Sequence, residues 1–311
     1  MTNQMSNNII LMTGITSGLG YEAMVKLLRN PEVSVITGVR NSNKPNNLKR
    51  LRTDRLTVLP LDLSSLQSVS EFCEAVETHL GDHRLSAMGF NAGTQITTGL
   101  THSVDGIETT FAVNHLSHYL IGERLSSKCA PSAPIVVTAS GTHDPGDPVA
   151  TRFGFRGGVF LTAKDVANGK MDADASPSQQ CLDRYATSKM ANIMHVLFKA
   201  RTDQDRTWIA YDPGLMPGTA LARDRSAFEQ FAWTRLMPAL RHVMRGVSSA
   251  EQSGATLANL LLGQKTYPSG SYIEFTGKAL TPWKQSTSES LQEDLINESQ
   301  ALIERHLRPR T

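Results

Sequence analysis

Six short apolar or β-branched runs recur along the chain, separated by longer stretches of helical period. The runs are NIILMT (8–13), VSVITG (33–38), LTVLPL (56–61), LSAMGF (85–90), PIVVTA (134–139) and TWIAYD (207–212). Each is of strand length and nearly continuous in hydrophobicity, the pattern of a strand buried on both faces. Between them, 19–30, 65–80, 107–128 and 183–201 are long and periodic enough for helices. Strand–helix alternation of this kind needs crossover connections. It therefore predicts an α/β fold with a doubly wound parallel sheet and helices on both faces. No linker, repeat or low-complexity run divides the chain, so residues 1–311 are expected to form one domain.

Composition removes several function classes. With 40% hydrophobic residues over 311 positions the chain can bury a sizeable core, and a formal net charge of +2 offers no electrostatic case for nucleic acid. The polar start MTNQMSNN lacks the basic and apolar regions of a signal peptide. No segment reaches the roughly 18 consecutive apolar residues of a membrane span. Cys73, Cys129 and Cys181 are odd in number and widely spaced, without a CxxC, which suggests neither a disulfide framework nor a zinc site. A cytoplasmic protein is the expectation.

Two stretches break the rhythm. Residues 141–182 are rich in Gly, Pro, Asp and Ser and show no clear period. Residues 215–246 look partly helical, with Phe228, Phe231, Trp233, Leu236 and Leu240 among basic residues. The second reads as an amphipathic helix on the core, as an interfacial helix at a membrane surface, or as a lid. Both follow strands directly, on the side where open α/β sheets bind ligands, so both are expected to shape a substrate site.

The stretch MTGITSGLG (12–20) follows the first strand and opens the first helix. Gly14, Gly18 and Gly20 let the backbone turn sharply and approach a pyrophosphate, which then sits at the helix amino end. Such a turn alone is weak, but this one stands in the strand–turn–helix context that the mechanism needs. A dinucleotide-binding, Rossmann-like domain follows. The second strand ends TGVRNSNK, with Arg40 twenty residues beyond Gly20 and no carboxylate until after residue 53. Asp or Glu there would accept from a ribose 2′-hydroxyl, whereas an arginine suits a 2′-phosphate, with Lys44 nearby. The expected cofactor is NADP(H).

YATSK (185–189) sets Tyr185 and Lys189 one helical turn apart on one face. By itself such a pair is most often a solvated surface. A free tyrosine titrates near ~10, too high for proton transfer at neutral pH, and a neighbouring ammonium favours the phenolate. Ser140, closing the strand IVVTAS, can donate a hydrogen bond to a substrate oxygen, or simply satisfy nearby backbone. His115 and His118, and likewise His79 and His83, have metal-like spacing, but no third ligand completes either pair.

Taken together, the glycine turn, Asn114, Ser140 and YATSK resemble the short-chain dehydrogenase/reductase family, and the resemblance covers essentially the whole chain. Its TGxxxGxG is matched by Thr13 to Gly20, which brings Thr16, Ser17 and Leu19 to the cofactor beside the glycines. LDLSS (61–65) implies Asp62 and Leu63 near the adenine, and NAG (Asn91, Ala92, Gly93) matches the family's NNAG with Phe90 replacing the first Asn. FAVNHLSHYLI (111–121) and GSYIEFTGKALTPWKQST (270–287) look like the branch of retinol dehydrogenases and light-dependent protochlorophyllide reductases. The resemblance implies Asn114, Ser140, Tyr185 and Lys189 as the catalytic set. Asn114 would position a water for proton resupply, and Lys189 would also hold the nicotinamide ribose. Pro213 and Gly214 match the family's PG, but Gly218 stands where a threonine is usual and Thr219 comes one place later.

The expected activity is hydride transfer between NADP(H) and a bulky, largely apolar carbonyl or alcohol, with Tyr185 as proton donor or acceptor. A carbon–carbon double-bond reductase and a non-catalytic NADP-sensing regulator are the alternatives. A small-molecule substrate, no nucleic acid, no integral membrane span and optional homo-oligomerisation complete the expectation.

Overall fold

The computed structural model describes residues 8–40, 48, 51, 53–216 and 246–307. Strands β1 (Asn8–Met12), β2 (Val33–Val39), β3 (Leu56–Pro60), β4 (Leu85–Phe90), β5 (Pro134–Thr138) and β6 (Thr207–Asp212) coincide with the six apolar runs to within one residue. Two strands the sequence did not announce, β7 (Ser271–Glu274) and β8 (Ala279–Leu280), complete an eight-stranded sheet ordered β3-β2-β1-β4-β5-β6-β7-β8. Every pairing up to β6–β7 is parallel, while β7 and β8 form an antiparallel edge hairpin. That hairpin is too short for a periodicity signal. Its turn is closed locally, by Gly277 N–H donating to the Glu274 carbonyl at 2.7 Å.

The helices are α1 (Gly18–Leu28), α2 (Leu66–Leu80), α3 (Ser117–Leu125), the short α4 (Pro148–Arg152) and α5 (Ala163–Ala167), α6 (Pro177–Thr202), α7 (Ala250–Leu261) and α8 (Glu289–Leu307). Strand β1 shows why both sheet faces are covered. Ile9 and Leu11 join a core with α2, α3, α6 and α8, whereas Ile10 and Met12 join a second core with α1 and α7. Successive side chains of a strand point to opposite faces, so a run that is apolar throughout needs helices on both.

Helix α6 begins at Pro177, six residues before the periodic stretch read from sequence. The Ser176 hydroxyl accepts from Gln179 N–H at 3.2 Å and proline occupies the first turn, a start signal overlooked inside the 141–182 excursion. In the second excursion, residues 217–245 lie outside the described residues, and with them Gly218, Thr219 and the aromatic residues Phe228, Phe231 and Trp233. Its two ends are pinned together: Leu215 N–H donates to the Gly246 carbonyl at 2.9 Å and Ser248 N–H to the Leu215 carbonyl at 2.8 Å. Among the described residues no helix is long and apolar enough to cross a membrane.

Candidate active site

Strand order reverses between β1 and β4, which opens a crevice at their carboxyl ends. The glycine turn lies in it. Gly14 has φ +73°, and a Cβ there would stand 2.7 Å from Ala92 backbone. A Cβ on Gly20 would run into the Gly14 carbonyl, so the first helical turn can pack this closely only without a side chain. Gly18 starts α1 with an added Cβ meeting nothing within 4 Å, and Ser17 makes no side-chain cap. The amino end of an 11-residue helix is thus left uncapped by side chains, with no acidic residue in its first turn. These features fit a dinucleotide pyrophosphate.

Thr13 ties this turn to the NAG segment. Its buried hydroxyl oxygen accepts from Asn91 N–H at 3.0 Å and from Ala92 N–H at 3.1 Å, and bonds His118 Nε2 at 3.0 Å. The Asn91 amide in turn donates to the Gly14 carbonyl at 3.0 Å. Asp62 orients its carboxylate by accepting from Ser64 N–H at 2.9 Å and Ser64 Oγ at 2.7 Å, and Leu63 packs on the core beside it. Thr16 and Ser17 are exposed, Leu19 is buried, and Arg40 stands exposed just past β2; Lys44 is outside the described residues.

Asn114 sits in a π turn, Ala112–Leu116, that interrupts the helix leading into α3. Single π turns inside helices are frequent at functional sites. Here the turn aims the Asn114 amide out of its own helix. Its Oδ1 accepts from Thr94 N–H at 2.7 Å, and its Nδ2 donates to the Thr94 carbonyl and to Ser188 Oγ, both at 2.9 Å. Ser188 donates onward to the Tyr185 carbonyl at 2.7 Å. A Cβ on Gly93 would lie 3.2 Å from Asn114 Oδ1 and 3.5 Å from Lys189 Nζ. The NAG segment, the π turn and α6 therefore converge.

Tyr185 and Lys189 are buried on the face of α6 that meets the ends of β5 and β6. Lys189 Nζ donates to the Thr138 carbonyl at 3.1 Å and lies 5.7 Å from the centre of the Tyr185 ring. Ser140 follows β5 in extended conformation, and its Oγ accepts from Thr142 N–H at 3.3 Å. Burial lowers Lys189 to about 8, opposed by the charge of Asp212. Burial, with Asp212 adding to it, raises the Tyr185 phenol above the ordinary tyrosine value. The lysine was expected to draw the phenol down. In the protein alone desolvation of the buried ring sets the direction, so the phenol stays protonated at neutral pH.

Three residues beside this set escaped the sequence reading. Asp212, at the end of β6, accepts from Gly214 N–H at 2.9 Å and from the Tyr272 hydroxyl at 3.0 Å. Tyr272 belongs to β7, whose pairing with β6 no local pattern announces. His143 Nδ1 bonds the Ser140 carbonyl at 2.8 Å and its Nε2 accepts from Trp283 N–H at 3.1 Å, which locks the ring in one neutral tautomer. Pro213 offers its carbonyl to Ser248 Oγ at 2.6 Å and Ser253 Oγ at 2.7 Å, and Gly214 takes φ +70°. Among the described residues no group of three His, Cys, Asp or Glu side chains could hold a metal ion. His79, for one, is exposed and bonds Thr57 Oγ1 at 3.1 Å.

Residues 8–151 match the short chain dehydrogenase family. Protochlorophyllide reductase of Chlamydomonas reinhardtii is 28% identical over 283 residues, covering 84% of this chain and 68% of that one. A crystal structure of NADPH-bound carbonyl reductase from chicken fatty liver superposes with a TM-score of 0.62 at 16% identity, over 89% of this chain and 99% of that one. An uncharacterized protein of Mycobacterium paratuberculosis superposes with a TM-score of 0.68 at 19% identity, over 96% and 94%. The sheet order, the glycine turn and these likenesses agree: residues 8–151 match the short chain dehydrogenase family, and 84% of the chain is similar to its protochlorophyllide reductases.

Proposed function

We propose that the chain transfers a hydride between NADP(H) and a bulky, largely apolar carbonyl or alcohol, with Tyr185 as the proton donor or acceptor. The likeness to short-chain dehydrogenases and protochlorophyllide reductases supports an NADP-dependent oxidoreductase; the substrate class and the residue roles go beyond it. The observation that carries the reading is that Lys189 lies beside the Tyr185 ring, bonds the Thr138 carbonyl two residues before Ser140, and approaches Gly93 together with Asn114.

When bound, NADPH would supply the hydride. Thr13, Gly14, Thr16, Ser17, Gly18, Leu19 and Gly20 would hold its pyrophosphate, Arg40 the 2′-phosphate, Asp62 and Leu63 the adenine side. Asn91, Ala92, Gly93, Pro213 and Gly214 would line the nicotinamide side. Ser140 donates a hydrogen bond to the substrate oxygen and Tyr185 gives it a proton as the carbonyl carbon is reduced. Lys189 keeps a positive charge one turn from the phenol, compensating the phenolate left after transfer. Asn114 fixes the neighbouring backbone through Thr94 and Ser188. Phe155, whose ring centre is 5.9 Å from that of Tyr185, supplies an apolar wall in keeping with a bulky ring or chain.

The kinship with protochlorophyllide reductases favours one second reading, reduction of a carbon–carbon double bond at the same site. The test is NADPH oxidation against a panel of bulky carbonyls and conjugated enones, with product identification. Tyr185→Phe should lower turnover by ~10²- to 10⁴-fold, the share that positioned acid catalysis supplies, while leaving NADPH affinity near wild type. Equal turnover in the two proteins would sink the role of Tyr185. A product that keeps its carbonyl would favour the double-bond reading, and a wild type that binds NADPH yet reduces nothing would favour a sensor.

A further inference from the structure

A buried carboxylate stands at the chemical end of the crevice without a place in the reaction so far described. Asp212 closes β6 next to Tyr211, which pairs with Thr138, the residue whose carbonyl receives Lys189 Nζ. Its Oδ2 would lie 3.3 Å from a Cβ on Gly141, directly beneath the Ser140–Gly141 step. Both carboxyl oxygens are anchored, one by the Gly214 amide and one by the Tyr272 hydroxyl, and the residue is 8% exposed. A charge so held cannot swing out to water when its neighbours change protonation.

We propose that Asp212 is a positioning residue of this site: its anchored carboxylate is the counter-charge that keeps Lys189 cationic and Tyr185 in the phenol form. The proposal deepens the reading of Tyr185 as proton donor and rests on it. Its consequence concerns the pH window, since no residue alters the equilibrium of the reaction. With Asp212 ionised, the pair works as a proton donor through neutral pH and as a proton acceptor only at higher pH.

The surroundings are consistent with that assignment. On α6, Lys189 and Tyr185 are the groups that its charge acts on. From the segment after β5 come Asp144, Asp147 and His143, and from β7 come Tyr272 and Glu274. Burial raises the Asp212 carboxyl to about 6, with Asp147 and Glu274 adding to the rise and the Gly214 amide and Tyr272 hydroxyl opposing it. It is therefore charged at neutral pH. Burial lowers His143 below its ordinary value, against the opposing Ser140 bond and the charges of Asp144 and Asp147. Trp283 N–H occupies its Nε2, so it stays neutral and does not cancel the carboxylate.

The test reads the phenol directly. Alkaline titration of tyrosinate absorbance in the NADP⁺ complex, taken as the difference between a protein and its own Tyr185→Phe counterpart, isolates Tyr185. Asp212→Asn keeps an acceptor for Gly214 and an amide for Tyr272 but removes the charge. Its Tyr185 midpoint should fall by about one pH unit, about tenfold more phenolate at fixed pH. Tyr272→Phe removes an anchoring bond but not the charge, and should not lower the midpoint. A merely structural Asp212 would lose stability in both variants and shift the phenol in neither. An unmoved midpoint in Asp212→Asn overturns the proposal. Should Asp212→Asn not fold, Asp212→Ser takes its place, and failure of both to fold assigns the residue to structure alone. Because this titration needs no turnover, an active Tyr185→Phe enzyme would sink the catalytic reading independently of it.

Discussion

At the β1–α1 turn the groups that face a ligand are backbone amides, whereas at the carboxyl ends of β5 and β6 they are side chains. The first end is held by steric exclusion: glycines at 14 and 20 leave no room for a Cβ, and Thr13 gathers the Asn91 and Ala92 amides. The second end is held by burial. Lys189, Tyr185, Asp212 and His143 are all enclosed, and their protonation follows from desolvation and from one another's charge. A backbone cradle binds whatever phosphate fits it, while a buried charged set can be tuned one residue at a time. Substitutions at the two ends should therefore fail in different ways.

The largest effect sharpens the contrast within the chemical end. Ser140→Ala removes the hydroxyl proposed to donate to the substrate oxygen and should cost ~10²- to 10³-fold in turnover, with cofactor affinity preserved. Lys189→Met should cost at least as much turnover and also weaken NADPH binding, because the family's lysine also reaches the nicotinamide ribose. Steady-state kinetics alongside fluorescence titration of NADPH separates the two. A lysine variant with wild-type cofactor affinity would confine Lys189 to the proton chemistry.

A smaller effect breaks the contrast from the cofactor side. Arg40→Ala should weaken NADPH by ~10- to 100-fold, the loss of a charge-assisted contact of about 1.5–3 kcal/mol, and leave NADH nearly unchanged. Equal loss for both cofactors in parallel titrations would show that Arg40 does not read the 2′-phosphate.

The same contrast explains what was legible in the sequence. The glycine turn is one contiguous segment shaped by local backbone geometry, so its spacing carries the information, whereas NAG and LDLSS were read by resemblance to the family alone. Tyr185 and Lys189 were legible because one helical turn joins them. Asp212, Tyr272 and His143 were not, because they meet only when β6 pairs with β7 and when Trp283 returns to the Ser140 segment. The elevated phenol of Tyr185 was equally hidden. Its sign depends on how deeply α6 is buried, and sequence spacing showed only the lysine that opposes it.

Burial of titratable groups also makes the fold sensitive to acid, and here the chemical end opposes the core behind it. On the far side of the Asn114 turn, His115, His118 and His195 are fully enclosed. Burial lowers His115 to about 3 and His118 to about 4, and carries His195 well below its ordinary value. Unfolded histidines take protons from about pH 6.5 downward, while these do not until far lower, so the unfolded chain holds the extra protons. Stability is then full above pH ~6.5 and falls with pH by up to ~1.4 kcal/mol per unit for each group, about tenfold in the folding equilibrium. Asp212 has the opposite sign. Folded, it takes its proton near 6, and unfolded near ~3.9, so between those values it adds stability as pH falls. Among these four groups the three histidines outweigh the one carboxylate. In His195→Phe the ring still fits between Trp208 and Tyr119, whose centres lie 5.1 and 5.2 Å from that of His195, and the two buried nitrogens without partners are gone. Urea unfolding at pH 7, 6 and 5 should show a shallower loss in His195→Phe than in wild type, by one histidine's share. Asp212→Asn should show a steeper one between pH 6 and 5. Identical slopes in wild type and His195→Phe would mean that His195 is not carried into the core as a neutral ring.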